Sequence, residues 1–186
     1  MKHLAALPLL LSLNASAQSL YPNEPKVTLT TTNCTEAPLL SATPGVIDLT
    51  FSAPIPPQWE CHGTITIIPD NNTAISIVSV STAGSAFNLG PKRNAPKANA
   101  STLSIVLLQE IVEAVPKKLT SVPFFDATYV IDSDGPFLFA EGLNVPFPCS
   151  SPLTIPFHLK ARHLTSSALK YGGMALGFAV LPCPLN

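Results

Sequence analysis

Charge is scarce in this chain: only 11% of its 186 residues are Asp, Glu, Lys or Arg, less than half of the roughly 25% found in an average soluble domain. With 46% hydrophobic residues alongside, that composition excludes a long disordered or polyelectrolyte chain. An excess of either sign is missing too, since ten basic residues face eleven acidic ones. The small basic cluster Lys92, Arg93 and Lys97 has no interleaved aromatics, so no electrostatic footprint for nucleic acid exists. Helix-length windows are few, because 20 prolines are spread along the chain and proline breaks a helix interior. That argues against an all-helical fold. Trp and Tyr are few, one and three, which leaves little to line a sugar-cleaving groove.

What is present begins with an address. Residues 1–17 read as a secretory signal, with Lys2 as the positive start, Leu4 to Leu13 as the apolar core and Ala15-Ser16-Ala17 as the cleavage site. The expected product is one secreted extracellular domain, residues 18–186, with no membrane span: no later apolar window is long enough, and Gly172 to Leu181 reads as a buried last strand. Cys34, Cys61, Cys149 and Cys183 then form an even set in an oxidising compartment, so two disulfides are expected. Four cysteines allow three pairings; sequence order favours Cys34–Cys61 and Cys149–Cys183, each worth about 3 kcal/mol through the entropy of the closed loop. A zinc site is disfavoured because no C-x-x-C pair occurs, and the adjacent Cys61 and His62 would point to opposite faces of a strand. Sequons at Asn33-Cys34-Thr35, Asn71-Asn72-Thr73 and Asn99-Ala100-Ser101 mark Asn33, Asn71 and Asn99 as N-glycosylation positions in a eukaryotic source.

Alternation of apolar and polar residues dominates the mature chain. Lys26 to Thr32, Val46 to Ser52, Thr64 to Ile68 and Ala74 to Val80 have β-branched residues at every second place and a turn signal beyond. Thr102 to Val115 fits both a strand and a helix; the strand is favoured, turning irregular near Glu110. Phe124 to Ile131, Phe137 to Phe139, Leu153 to Leu164 and Met174 to Leu181 supply further β segments. Gly84-Ser85 and Gly172-Gly173 read as turns. Eight to ten strands without helical crossovers predict an all-β, antiparallel two-sheet β-sandwich, with a squat β-barrel as the alternative.

The cysteines and their surroundings resemble a family of small secreted fungal and actinobacterial proteins, domain of unknown function 4360. Cys34 follows a first strand, and Val46 to Ser52 precedes Cys61. The run Cys61-His-Gly-Thr-Ile-Thr-Ile-Ile-Pro69 is similar to the family's cysteine, alternating strand and proline, followed by an Ile-Ser-Ile strand and Gly84. Near the end, Pro148-Cys149-Ser-Ser-Pro-Leu-Thr-Ile155 resembles the family's Pro-Cys, polar turn and apolar strand, with Cys183 close to the C-terminus. The chain departs from the family in having Phe178 and Leu181 where a tryptophan tends to stand. The resemblance implies secretion and a β fold, and no catalytic residues.

Few constellations carry chemistry. His158 and His163 are five apart, which on a strand places them on opposite faces and prevents a shared metal. Trp59, Glu60 and His62 put an indole, an acid and an imidazole beside a cysteine, and form a candidate binding patch. Asp132-Ser-Asp134-Gly135 resembles the start of a calcium loop, but Glu141 is not where the distal ligand belongs, so a hairpin turn is expected. No Gly-x-Ser-x-Gly, free cysteine with a histidine partner, or phosphate-cradling glycine loop occurs. No catalytic residue, metal or cofactor is expected.

These readings converge on a secreted, non-enzymatic recognition protein. Its expected partners are cell-wall polysaccharide, a host extracellular protein in an effector-like role if the source is a plant-associated fungus, or a second copy of itself. One alternative is a small glycoside hydrolase whose carboxylates, from Glu60, Asp126, Asp132 and Glu141, converge on folding. The other is an apolar-ligand carrier with a cavity between its sheets.

Overall fold

A computed structural model describes residues 14–17, 25–70, 72–89, 101–113, 118–164 and 167–184. Asn71 and Asn99 lie outside the described residues, as do residues 1–13. Among the described residues eleven strands follow one another: β1 (Asn14–Ala17), β2 (Lys26–Thr32), β3 (Leu39–Thr43), β4 (Val46–Thr50), β5 (Gln58–Ile68), β6 (Thr73–Phe87), β7 (Ser101–Glu113), β8 (Lys118–Ile131), β9 (Gly135–Pro146), β10 (Leu153–Arg162) and β11 (Ala168–Pro182). All pairings are antiparallel, and the strands form two sheets, β1-β2-β5-β10-β7-β8 and β3-β4-β11-β6-β9. The expected β-sandwich is therefore what forms. The barrel alternative is not, because each sheet keeps two free edges.

The topology has a simple generator. Strand β7 pairs with β8, β6 with β9, β5 with β10 and β4 with β11, each pair enclosing the one before it. Residues from β4 to β11 thus make one long antiparallel ribbon with its apex between β7 and β8. The ribbon rolls so that successive pairs fall in alternate sheets, and the β10·β7 and β11·β6 pairings join its turns. This is a jelly roll of eight strands. Strand β3 joins β4 through the Pro44-Gly45 turn, where Gly45 takes a φ of +79° as the third position of a type II turn requires. Strand β2 lies beside β5, and β1, which falls within the residues 1–17 read as a signal, lies beside β2; a domain of residues 18–186 has β2 as that edge of the sheet.

Alternation decides which face is buried. In β10 the inward set is Leu153, Ile155, Phe157, Leu159 and Ala161; in β5 it is Trp59, Cys61, Ile65 and Ile67. These meet Ile47 and Leu49 from β4, Ile75 and Ile77 from β6, and Tyr171, Met174 and Leu176 from β11 in one continuous core. Both disulfides join the cysteines that sequence order favours: Cys34–Cys61 ties the loop after β2 onto β5, and Cys149–Cys183 ties the loop before β10 to the chain just after β11.

Three expectations about local structure are corrected. The Thr102 to Val115 segment is a strand through Glu113, and its irregularity lies at Leu107/Leu108 rather than near Glu110. Gly84 is in mid-strand, not in a turn: it stands opposite Phe137, whose Cζ would lie 2.4 Å from a Cβ at that position. Gly172 and Gly173 are likewise inside β11, at a bulge where a Cβ on Gly173 would meet the Leu49 carbonyl oxygen at 2.1 Å. In each case the glycine answers a close approach of another chain segment, and a sequence shows that need no differently from a turn.

Candidate functional site

Strands β5 and β10 lie side by side within the larger sheet, and their inward residues fix what points out. With Trp59 and Cys61 inward, Gln58, Glu60 and His62 face solvent; with Leu159 and Ala161 inward, so do His158, Lys160 and Arg162. The register places Gln58 opposite Arg162, Glu60 opposite Lys160 and His62 opposite His158. Three cross-strand polar pairs therefore follow one another along a single ribbon, about 7 Å apart.

Each step of this ladder has its own electrostatics. Glu60 and Lys160 form an ion pair. The hydrogen bond from Lys160, then its charge, hold the Glu60 carboxyl below the usual carboxylate range, with His62 and Arg162 adding to the effect. His62 Nε2 lies 3.9 Å from Glu60 Oε2. The His62 and His158 rings stack with centroids 4.3 Å apart and planes 19° from parallel. Partial desolvation, then the neighbouring His62, push the His158 pKa below its ordinary value, and Glu60 offsets part of this.

A cleft of about 520 Å3 opens at one end of the ladder, with Asn33, Thr35, Gln58, Glu60, Lys160 and Arg162 in its lining. Its far wall is the loop after β2. That loop starts at Asn33, which adopts a left-handed φ of 59°, and the Cys34–Cys61 bridge anchors it to β5. The disulfide thus fixes two donors, the Asn33 amide and the Thr35 hydroxyl, against the ladder.

Of the residues singled out from sequence, Glu60 and His62 belong to this site. Trp59 does not join their surface: it is 2% exposed and packs in the core against Phe51 and Tyr171, at centroid distances of 5.2 and 5.7 Å. One residue of strand register separates it from Glu60 and reverses its face. Asn33 is exposed at the cleft. His163 stands outside the site and holds the chain around Ile55, with Nε2 3.1 Å from the Ile55 carbonyl and Nδ1 3.2 Å from the Ser167 hydroxyl.

Sequence reasoning missed His158, Lys160, Arg162 and Gln58 as members of the site. The signal was there in Phe157-His-Leu-Lys-Ala-Arg162, which has a polar side chain at every second place.

The four carboxylates proposed as an alternative do not gather. Glu60 and Asp126 face the same side of the larger sheet, but β10 and β7 lie between their strands, a separation of about 14 Å. Asp132 sits in the turn after β8. In the same turn, the Asp134 carboxylate accepts a hydrogen bond from the Leu89 amide at 2.9 Å. Glu141 is on the other sheet and accepts the Tyr129 hydroxyl at 2.9 Å. Desolvation and that carboxylate push the Tyr129 phenol up to about 12. Among the described residues, no three His, Cys, Asp or Glu side chains come together to hold a metal ion. No described helix is long and apolar enough to cross a membrane. An apolar cleft at Val27, Ala42, Gly45 and Phe178 measures about 110 Å3, below the several hundred Å3 of a small-molecule pocket.

No family model matches the chain, and no curated protein matches it. Among solved structures it is similar to a chain from the structure of infectious bursal disease virus, Gx strain, at 10% sequence identity and a TM-score of 0.31, over 91% of this chain and 54% of that one. The chain therefore spans about half the length of that viral chain, and a likeness this loose carries no argument about what the protein does.

Proposed function

We propose that this is a secreted, non-enzymatic recognition protein that acts outside the cell and takes its partner on the outer face of β5 and β10. The observation that carries the reading is the three-step polar ladder, Gln58–Arg162, Glu60–Lys160 and His62–His158, beside a cleft of about 520 Å3. Hydrogen-bonding groups held on a disulfide-braced sheet suit recognition, because little ordering remains to be done on binding. The same geometry speaks against hydrolysis: among the described residues Glu60 is the one carboxylate in the cleft lining, and Asp126 stands about 14 Å across the sheet from it, too far for a catalytic pair.

Secretion rests on the signal pattern of residues 1–17 and on two disulfides, which persist in oxidising compartments. Membership of domain of unknown function 4360 is part of the same proposal; Asn33 is taken as unmodified, because it lines the cleft and a glycan there would occupy it. Of the partners considered, wall polysaccharide fits better than a host protein, because the cleft lining is mostly polar or charged side chains, with Trp59 and Ala161 as its apolar members and the Trp59 ring itself buried.

The test is co-sedimentation of the purified, oxidised protein with chitin, β-glucan, cellulose and whole walls, with assay of any soluble sugar released. Binding without release is the expected result. Release of reducing sugar overturns the non-enzymatic reading, and the absence of binding to every wall polymer overturns the choice of polysaccharide.

A further inference from the structure

The charges lining the cleft are not equivalent. Lys160 is committed to Glu60, and the two cancel. Arg162, one step further along the same face, stands opposite the neutral Gln58; among the described residues its side chain makes no hydrogen bond and no ion pair, and its charge acts on Glu60 only from a distance. The cleft therefore carries one uncompensated positive charge in a protein whose formal net charge is -1. That charge is a guanidinium, whose planar fork of N–H donors matches a carboxylate bidentately and does not lose its proton.

Around Arg162 stand neutral hydrogen-bonding groups: the Gln58 and Asn33 amides and the Thr35 hydroxyl. Such groups serve hydroxyls and ring oxygens. Beyond the Glu60–Lys160 pair, the stacked imidazoles of His62 and His158 extend the polar face along the ribbon. One fixed positive fork and a rim of neutral donors and acceptors, in a lining whose apolar members are Ala161 and the largely buried Trp59, describe a complement to a polyhydroxylated chain bearing carboxylates. We propose that the cleft recognises an acidic saccharide, a uronate unit of a polyuronate, with its carboxylate on Arg162. This rests on the recognition reading above and names the ligand class of the same site.

The experiment compares two polymers of one scaffold, polygalacturonate and its methyl ester, as ligands for the full mature protein in titration calorimetry. The expected result is binding of the acid form and binding of the ester weaker by about tenfold or more, since esterification removes the charge and leaves the hydroxyls. Arg162→Gln is expected to weaken binding of the acid by at least about tenfold, with Arg162→Lys retaining part of the affinity because a point charge replaces a fork. An unchanged thermal midpoint in both variants shows that folding is not the cause. Equal binding of acid and ester, or full affinity in Arg162→Gln, overturns the proposal. Binding of neutral glucan or chitin alone also overturns it while leaving the recognition reading standing. Binding of an acidic peptide without polyuronate overturns the saccharide assignment, and failure to bind any of these polymers counts against both readings.

Discussion

The ring of Phe157 lies over Gly63, its direct cross-strand partner in the β5–β10 pairing: a Cβ on Gly63 would sit 2.5 Å from Phe157 Cζ and 2.6 Å from the Thr30 carbonyl oxygen. Gly63 continues the inward row of Cys61 and Ile65, and its missing side chain is the space the phenyl ring fills.

Gly63→Ala is therefore expected to be an overpacking mutation. One contact is a ring fully buried in the core and the other is backbone, so neither yields cheaply. A loss of about 1–3 kcal/mol is expected, corresponding to a fall in Tm of about 2–12 °C for a domain of this size. Scanning calorimetry of the variant checks it, and an unchanged Tm would show that Phe157 moves aside freely.

The two disulfides are expected to separate stability from binding. Replacing either pair by alanine should cost about 2–5 kcal/mol. Only the Cys34→Ala, Cys61→Ala pair should also weaken ligand binding, because that bridge holds the cleft wall at Asn33 and Thr35. The Cys149–Cys183 bridge lies outside the cleft lining. Denaturant unfolding combined with binding measurements on both double variants tests the distinction.

His158 should give stability a pH dependence with a defined sign. Its pKa in the folded protein is lowered from an ordinary 6.5 by desolvation and by His62, with Glu60 opposing; the nearest residue of β7 in register is the uncharged Val106. The unfolded chain then binds this proton more readily. Stability from this group is full above the unfolded pKa and is lost as pH falls through it. Glu60 acts in a lower window, since its contribution is lost only below its ordinary 4.5. Thermal melts between pH 7.5 and 5 should show a falling Tm, and His158→Gln should flatten that part of the profile.

Trp59 is the sole tryptophan and is buried, so it reports on the core. Its fluorescence is expected to be blue-shifted, poorly quenched by iodide, and red-shifted only on unfolding. Strong quenching in the native protein would contradict the packing of Phe51, Trp59 and Tyr171.

Much of the framework was legible because strands repeat with a period of two. Lys26 to Thr32 emerges as β2 with those bounds, and the cysteines pair as their order suggests. What was not legible is register between distant strands. Nothing local tells His62 that its neighbour is His158, nearly a hundred positions away, so the imidazole pair and the Glu60–Lys160 bridge appear only on folding. Parity was available and unused: Trp59 shares a face with Cys61, and the buried bridge at Cys61 takes the indole inward with it. Strand β3 was overlooked because its exposed face includes Leu39, which blurs the alternation.

The nested ribbon also sets the order in which the chain can become a protein. Strand β11 is the middle strand of its sheet, flanked by β4 and β6, and Val46, paired on one side with the nearby Thr43, finds its partner on the other side only at Gly177. No N-terminal portion that lacks Ala168–Pro182 has a complete second layer to cover its apolar face. Contacts so distant in sequence make folding slow, because loop closure must precede the stabilising pairing. A chain threaded through a membrane from its N-terminus would stay unable to close until its last strand had emerged. Synthesis of the last strand thus has to precede closure of the sandwich, because β11 lies between β4 and β6.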